Sequence, residues 1–211
     1  MYNPPHFLES RQEVLQELIT QYPLGVLITQ DAQGLDANHI PFEVDSAVGT
    51  FGRLRAHLAR QNDVLLRLKN GDEVLVVFRA EDAYISPNWY PSKHEFHKQV
   101  PTWNYRVVHA HGIITIHDDE RYLRRLLARL TRHHEASQAV PWKIGNAPPD
   151  YINAMLQAIV GIEVDITRLI GKFKLSQNRE ARDRLGAGQA LISQGDVSLG
   201  QAMLDAMPVP K

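Results

Sequence analysis

Between Tyr84 and Tyr105 the chain concentrates residues suited to holding a flat ligand. The segment Tyr84-Ile85-Ser86-Pro87-Asn88-Trp89-Tyr90-Pro91-Ser92-Lys93 is followed closely by Val100-Pro101-Thr102-Trp103-Asn104-Tyr105. Prolines stiffen the backbone beside aromatic faces, hydroxyls and amides, which together offer a stacking surface and a few directional polar contacts to a heteroaromatic ring. The same residue types also suit an aromatic loop that packs on the core or on a second copy of the chain.

Two donor-rich clusters could complete such a site. Arg53, Arg55 and His57 share strand parity, with Arg60 and Asn62 just beyond. Convergent guanidinium and imidazole groups hold phosphate through charge-assisted hydrogen bonds, although solvated surface charge is the commoner use of such residues. Lys172-Phe173-Lys174-Leu175-Ser176-Gln177-Asn178-Arg179 could cradle an anion or cap a following helix. Histidine is abundant: His109 and His111 are spaced i, i+2, His94 and His97 i, i+3, and His133 and His134 are adjacent. No HExxH pattern and no carboxylate at ligand spacing accompanies them, so no metal site is expected.

The elements that must position these groups follow from periodicity. Val14, Leu15, Leu18 and Ile19 after the Ser10/Glu13 spacing predict a helix over about residues 10 to 21, ended by Pro23. Leu24 to Thr29, the turn at Asp31 to Gly34, and Asn38 to Val44 read as a hairpin. Gly49 to Leu54, Glu73 to Phe78 and Ala83 to Ser86 are further strand candidates. From Val107 to His117 one parity is apolar and the other carries three histidines, the pattern of a half-buried strand. Asp118, Asp119 and Glu120 then precede the Leu123, Leu126, Leu127, Leu130 stripe of a helix over 121 to 132, whose outer face carries Arg121, Arg124, Arg125, Arg129 and Arg132. A short helix after Pro148-Pro149-Asp150, a strand at Ile162 to Ile166, and two helices parted at Gly195 close the chain. Strands with helices at the ends and one interruption predict an α+β protein on an antiparallel sheet or barrel.

Composition narrows the function classes. The 211 residues hold 23 Lys plus Arg against 24 Asp plus Glu, for a formal charge of −1, which is not a uniformly basic coat for nucleic acid. There is no Cys, so disulfides, thiolate metal sites and a cysteine nucleophile are excluded, and a reducing, cytoplasmic setting is expected. No signal peptide or membrane span is read, and neither GxxxxGK[ST], GxGxxG nor GxSxG occurs. The helix–turn–helix candidate, Gln189 to Met207, has no Lys or Arg and carries Asp196 and Asp205, which phosphates would repel.

Several stretches together resemble one family: Met1-Tyr2 with Pro5 and Phe7, Ala56-His57-Leu58-Ala59-Arg60-Gln61-Asn62, Tyr84 to Tyr90, Val100 to Tyr105 with His109-Ala110-His111-Gly112, and Lys172 to Arg179. These are similar to the PaiB-type proteins, FMN-binding negative transcriptional regulators, over residues 1 to about 184. The resemblance implies an FMN-binding split β-barrel, antiparallel and Greek-key-like, over 1–185, with peripheral helices and a C-terminal helical extension over 186–211. It also implies a homodimer with flavin at the subunit boundary. In this reading Arg55, His57, Arg60 and Asn62 hold the phosphate. The flavin ring lies near Thr102, Trp103 and Asn104, and Tyr84, Ser86 and Trp89 close the pocket. Lys174, Ser176, Gln177 and Arg179 are candidates to come from the second subunit. The family label adds repression of protease and sporulation-type genes, with DNA or a regulatory partner as the counterpart. The alternatives are a flavin-dependent oxidoreductase of a small substrate, and a haem-binding split barrel. Relatives often have a Gly-containing turn where Arg79-Ala80-Glu81 stands here, so a turn is expected at that point.

Overall fold

The computed structural model describes residues 1–206. Eight strands form one sheet in the order β3-β2-β6-β7-β8-β5-β4: β2 (Leu24–Asp31), β3 (Gly34–Pro41), β4 (Glu43–Asp45), β5 (Arg53–Ala59), β6 (Glu73–Ile85), β7 (Thr102–His117) and β8 (Ile159–Lys174), while β1 (Leu8–Glu9) joins β8. Its pairs are antiparallel, including β2 with β3 and β6, β5 with β4 and β8, and β1 with β8. Six helices accompany it: α1 (Gln12–Gln21), α2 (Pro91–Phe96), α3 (Glu120–Glu135), α4 (Pro149–Gln157), α5 (Ala181–Ser193) and α6 (Val197–Asp205). The α+β class and the antiparallel sheet are as the periodicity predicts.

Three strand expectations are corrected. The strand read at Gly49 to Leu54 begins only at Arg53, because Gly49 and Gly52 take positive φ (67° and 94°) and spend those residues on a turn. The segments at Glu73 to Phe78 and Ala83 to Ser86 are one strand, β6, with no turn at Arg79 to Glu81. Ala80 is buried there, and the inward parity shifts between Ala80 and Ala83. The last strand runs not from Ile162 to Ile166 but through Lys174, since Leu8 pairs with Lys172 and Glu9 with Gly171 along its polar end.

The chain divides into two compact units, through both of which β6, β7 and β8 pass. One comprises residues 19–78 and 109–169. Its core joins Leu27, Ile40, Leu54, Phe78 and Ile114 of the strands, and Phe42 between β3 and β4, to Leu123 and Leu126, the inner stripe of α3. Asp119 caps α3, its carboxylate accepting the Tyr122 N–H at 2.7 Å.

The other comprises residues 1–18, 79–108 and 170 onward. Phe7, Leu15, Ile85, Tyr90, Phe173, Leu191 and Met203 are buried here. Its helices α5 and α6 form a hairpin across the φ +96° turn at Gly195. They cross at glycines: a Cβ on Gly200 would lie 2.7 Å from the Gly188 carbonyl oxygen and 2.6 Å from Ile192 Cγ1. The helix–turn–helix segment is thus a tightly packed hairpin whose last residue, Met207, lies outside the described residues. Within the 186–211 extension the same holds for 207–211, and its boundary at 185/186 falls inside α5.

Candidate functional site

The aromatic-rich segment lies in the unit that holds both chain ends. Strand alternation sorts Thr102-Trp103-Asn104 by face: Trp103 points outward and is 54% exposed, whereas Asn104 is fully buried. Tyr84 stands beside Trp103, their rings edge-to-face at 6.1 Å and 75°, and is itself 48% exposed. Two adjoining aromatic rings therefore keep half their surface open.

The polar end of β8 and the turn after it supply cations held by neutral oxygens. Lys174 Nζ donates to Thr102 Oγ1 and the Trp103 carbonyl. Burial, then the charges of Lys172 and Arg179, hold its ammonium below the ordinary lysine value. Buried Lys172 donates to the Tyr2 carbonyl at 3.0 Å and lies 5.4 to 6.0 Å from the rings of Tyr2, Phe7 and Tyr105. Arg179 donates to Gln99 Oε1 at 2.7 Å and sits 5.6 Å from the centre of the Tyr90 ring.

The remaining residues expected here make local contacts. Asn104 accepts from Ser176 Oγ at 2.9 Å in the orientation that lets its amide donate to the Trp103 and Lys174 carbonyls. Ser176 holds a left-handed φ of 65°. Gln177 spans its own turn, accepting from the Leu175 N–H at 2.8 Å and donating to the Phe173 carbonyl at 2.6 Å. Ser86 caps the 3-10 turn Pro87–Trp89, accepting from Asn88 N–H, and Trp89 is half-buried in that turn. Tyr90 is buried, its phenol pushed up by burial; the hydroxyl has Ser176 as neighbour but makes no hydrogen bond of ordinary geometry.

Arg55, His57, Arg60 and Asn62 lie in the other unit, and their side chains are largely committed. On β5, Arg53, Arg55 and His57 face Asp165, Glu163 and Gly161 of β8. Arg55 donates to Asp45 at 2.6 Å and Glu163 at 3.0 Å, and Arg53 donates to Glu163 at 2.9 Å and to Asp165. Arg60 grips Asp118 through both terminal nitrogens at 2.7 and 2.6 Å. Asn62 caps a 3-10 turn through the Val64 N–H and donates to Asn38 at 2.8 Å. Within this group His57 Nδ1 is buried without a partner, and burial holds the imidazole below its usual value.

The sequence pattern of basic residues showed where cations cluster but not which were already neutralised. A phosphate at Arg55 or Arg60 would have to displace a carboxylate. The exposed Trp103–Tyr84 pair, and a Lys174 ammonium that bonds the Trp103 carbonyl and meets no carboxylate among the described residues, fit a flat anionic ring system. Lys172 and Gln99, outside the expected contact set, complete this environment. Lys172 was visible in the donor-rich run, whereas Gln99 carried no sequence signal.

A family model described as "Putative FMN-binding domain" matches residues 1–168. An uncharacterized protein of Aspergillus fumigatus is 32% identical, covering 96% of this chain and 95% of its own. The Bacillus subtilis "Protease synthase and sporulation protein PAI 2" is 26% identical over 92% of this chain and 90% of its own. Among solved structures, a FAD and haem binding protein from Mycobacterium smegmatis superposes with TM-score 0.59 at 16% identity, covering 79% of this chain and 73% of that one. The flavocytochrome Anf3 of Azotobacter vinelandii gives 0.58 at 13%, covering 79% and 69%. At these identities the structural likeness is one of fold, the flavin-binding split barrel. With its residues 1–168 matching that domain, the chain belongs to the PaiB-type family of FMN-binding split-barrel proteins.

Proposed function

We propose that the protein binds FMN, with the isoalloxazine on the Trp103–Tyr84 surface and Lys174 beside its polar edge, and that it works as a cytoplasmic homodimer with a regulatory output. The observation that carries this is a half-exposed aromatic pair on a strand whose backbone carbonyl at Trp103 holds a lysine bonded to neutral oxygens. Such a pair offers ring-stacking area, and an ammonium without a carboxylate partner offers charge to a ligand that becomes anionic. FMN when bound would supply one- and two-electron chemistry that a chain without cysteine otherwise lacks. Trp103 would pack the ring, Thr102 and the Trp103 carbonyl would orient Lys174, and Asn104 with Ser176 would fix the strand that presents them.

The regulatory part is supported by the Bacillus subtilis relative, whose name refers to protease synthesis and sporulation. The fold neighbour that binds FAD and haem supports a second reading, haem in place of flavin. No helix among the described residues is long and apolar enough to cross a membrane. The test is addition of FMN to the purified full chain. Flavin bands that persist through gel filtration, with a rise in melting temperature at saturating FMN, support the proposal. A Soret band with haem and no response to FMN would replace flavin with haem. Sedimentation equilibrium at one chain mass would overturn the dimer.

A further inference from the structure

We propose that the unit comprising residues 19–78 and 109–169 carries a second ligand site, separate from the aromatic platform, that takes a small aromatic carboxylate between the C-terminal half of α3 and the loop after it. The cavity there has a volume of about 440 Å³, within the range of pockets that enclose small organic ligands. The apolar part of its lining is Ala128 and Ala136 on the α3 side and Pro141, Trp142 and Ile144 on the loop. Trp142 is 44% exposed, an indole face without a covering ring.

The loop is tied in place rather than merely adjacent. Trp142 N–H donates to the Glu135 carboxylate at 2.8 Å, fixing the loop to the last residue of α3. Lys143 N–H donates to Asn146 Oδ1 at 2.7 Å, and the Asn146 N–H returns to the Lys143 carbonyl at 2.8 Å. The one carboxylate at the cavity is thus already engaged.

Charge selects the ligand. Of the arginines along α3, Arg124 pairs with Glu120 and Arg129 with Glu43, whereas Arg132 and Lys143, both at this cavity, are in no ion pair among the described residues. Two free cations at the edge of an apolar slot with an indole wall match a flat ring bearing a carboxylate, and disfavour its neutral or cationic analogues. The Thr131 hydroxyl, also at the cavity, adds a hydrogen-bonding group.

The experiment is isothermal titration of the full chain with 2-naphthoate, with and without excess FMN, and with 2-naphthylmethanol as the uncharged control. Expected are one-to-one binding unaffected by FMN, a loss of about tenfold in Trp142→Ala, and losses of about fivefold in each of Arg132→Gln and Lys143→Gln. The alcohol should bind at least about tenfold more weakly than the acid. Arg132 and Lys143 are exposed, so those two variants decide the matter even where Trp142→Ala fails to fold. Absence of binding at millimolar naphthoate, equal affinity for acid and alcohol, competition by FMN, or full affinity in both cation variants would each overturn the site. A Trp142 emission shift that tracks protein concentration without ligand would also overturn it, since a second copy would then cover the cavity. The naphthoate affinity, the acid–alcohol comparison and the variant losses do not depend on whether FMN binds.

Discussion

The ring of Trp103 meets that of Tyr84 edge-on, with centroids 6.1 Å apart and planes inclined at 75°, while each ring stays about half open to solvent. A pair buried against the core would be paid for by folding, whereas this one leaves stacking area unspent. Removal should therefore be felt in ligand binding before it is felt in stability. Trp103→Ala is expected to weaken FMN about tenfold, a stacking contribution of about 1.4 kcal/mol, while Arg125→Gln on the exposed side of α3 leaves affinity unchanged. Fluorescence titration of FMN checks both. Equal losses in the two variants would remove the platform from the site.

Glu163 joins Arg53, Arg55 and His117, at 2.9, 3.0 and 3.2 Å, and its side chain is only 11% exposed against 13% for Arg55. Taking away its charge leaves two half-buried guanidiniums short of a partner. Glu163→Gln should lower the unfolding free energy by about 3 kcal/mol, seen as a shift of the urea midpoint at unchanged slope. Arg55→Met should lower stability without ligand present, because Arg55 works here as a bridge to Asp45 and Glu163. If instead Arg55→Met leaves the ligand-free protein as stable as the parent and abolishes FMN binding, Arg55 is a ligand residue.

His57 gives the stability a pH dependence of known sign. Burial holds the folded imidazole below its ordinary value, so the unfolded chain takes up the proton first. Stability is full above the unfolded value of about 6.5 and falls as pH drops from there toward the folded value. Half-buried His109 and His111 shift in the same direction, chiefly through burial. Asp45, lowered chiefly by its hydrogen bond with Arg55, acts in a separate window: its contribution is present above the ordinary aspartate value and disappears as pH falls through its folded value. His57→Gln should therefore flatten the slope of unfolding free energy between about pH 7 and 5. Denaturant melts across that range measure it, and an unchanged slope would mean His57 is not protonated on unfolding there.

The α5–α6 hairpin depends on its glycine crossing. A methyl on Gly200 would meet the Gly188 carbonyl oxygen at 2.7 Å, backbone against backbone, whereas one on Gly188 meets the flexible end of Leu204 at 2.8 Å and the Gly200 carbonyl oxygen only at 3.1 Å. Gly200→Ala should cost about 1–3 kcal/mol and Gly188→Ala less, the order being the test. Amide exchange in α6 reads it, with protection falling most in Gly200→Ala.

Local pattern determined much of this. Alternation placed the histidine-bearing face of β7, the Leu stripe placed α3, and Gly195 placed the break between α5 and α6, because each depends on near neighbours in the chain. The motifs from Tyr84 to Tyr105 and Lys172 to Arg179 also carried the resemblance to the family, although the strand ends that hold them, Thr102 to Arg106 and Thr167 to Lys174, were not legible in the periodicity.

What sequence alone left open is which of the marked groups are available. Arg55 and Arg60 look alike to Lys172 and Lys174 in a list of cations, yet the first two meet Asp45, Glu163 and Asp118, and the last two meet neutral oxygens. The partners lie up to 170 residues away along the chain. Likewise Trp103 and Asn104 are neighbours in sequence and opposite in exposure, one half open and one sealed. Pairing and burial are set by strand register across the sheet, a long-range property, so only the tertiary structure decided them.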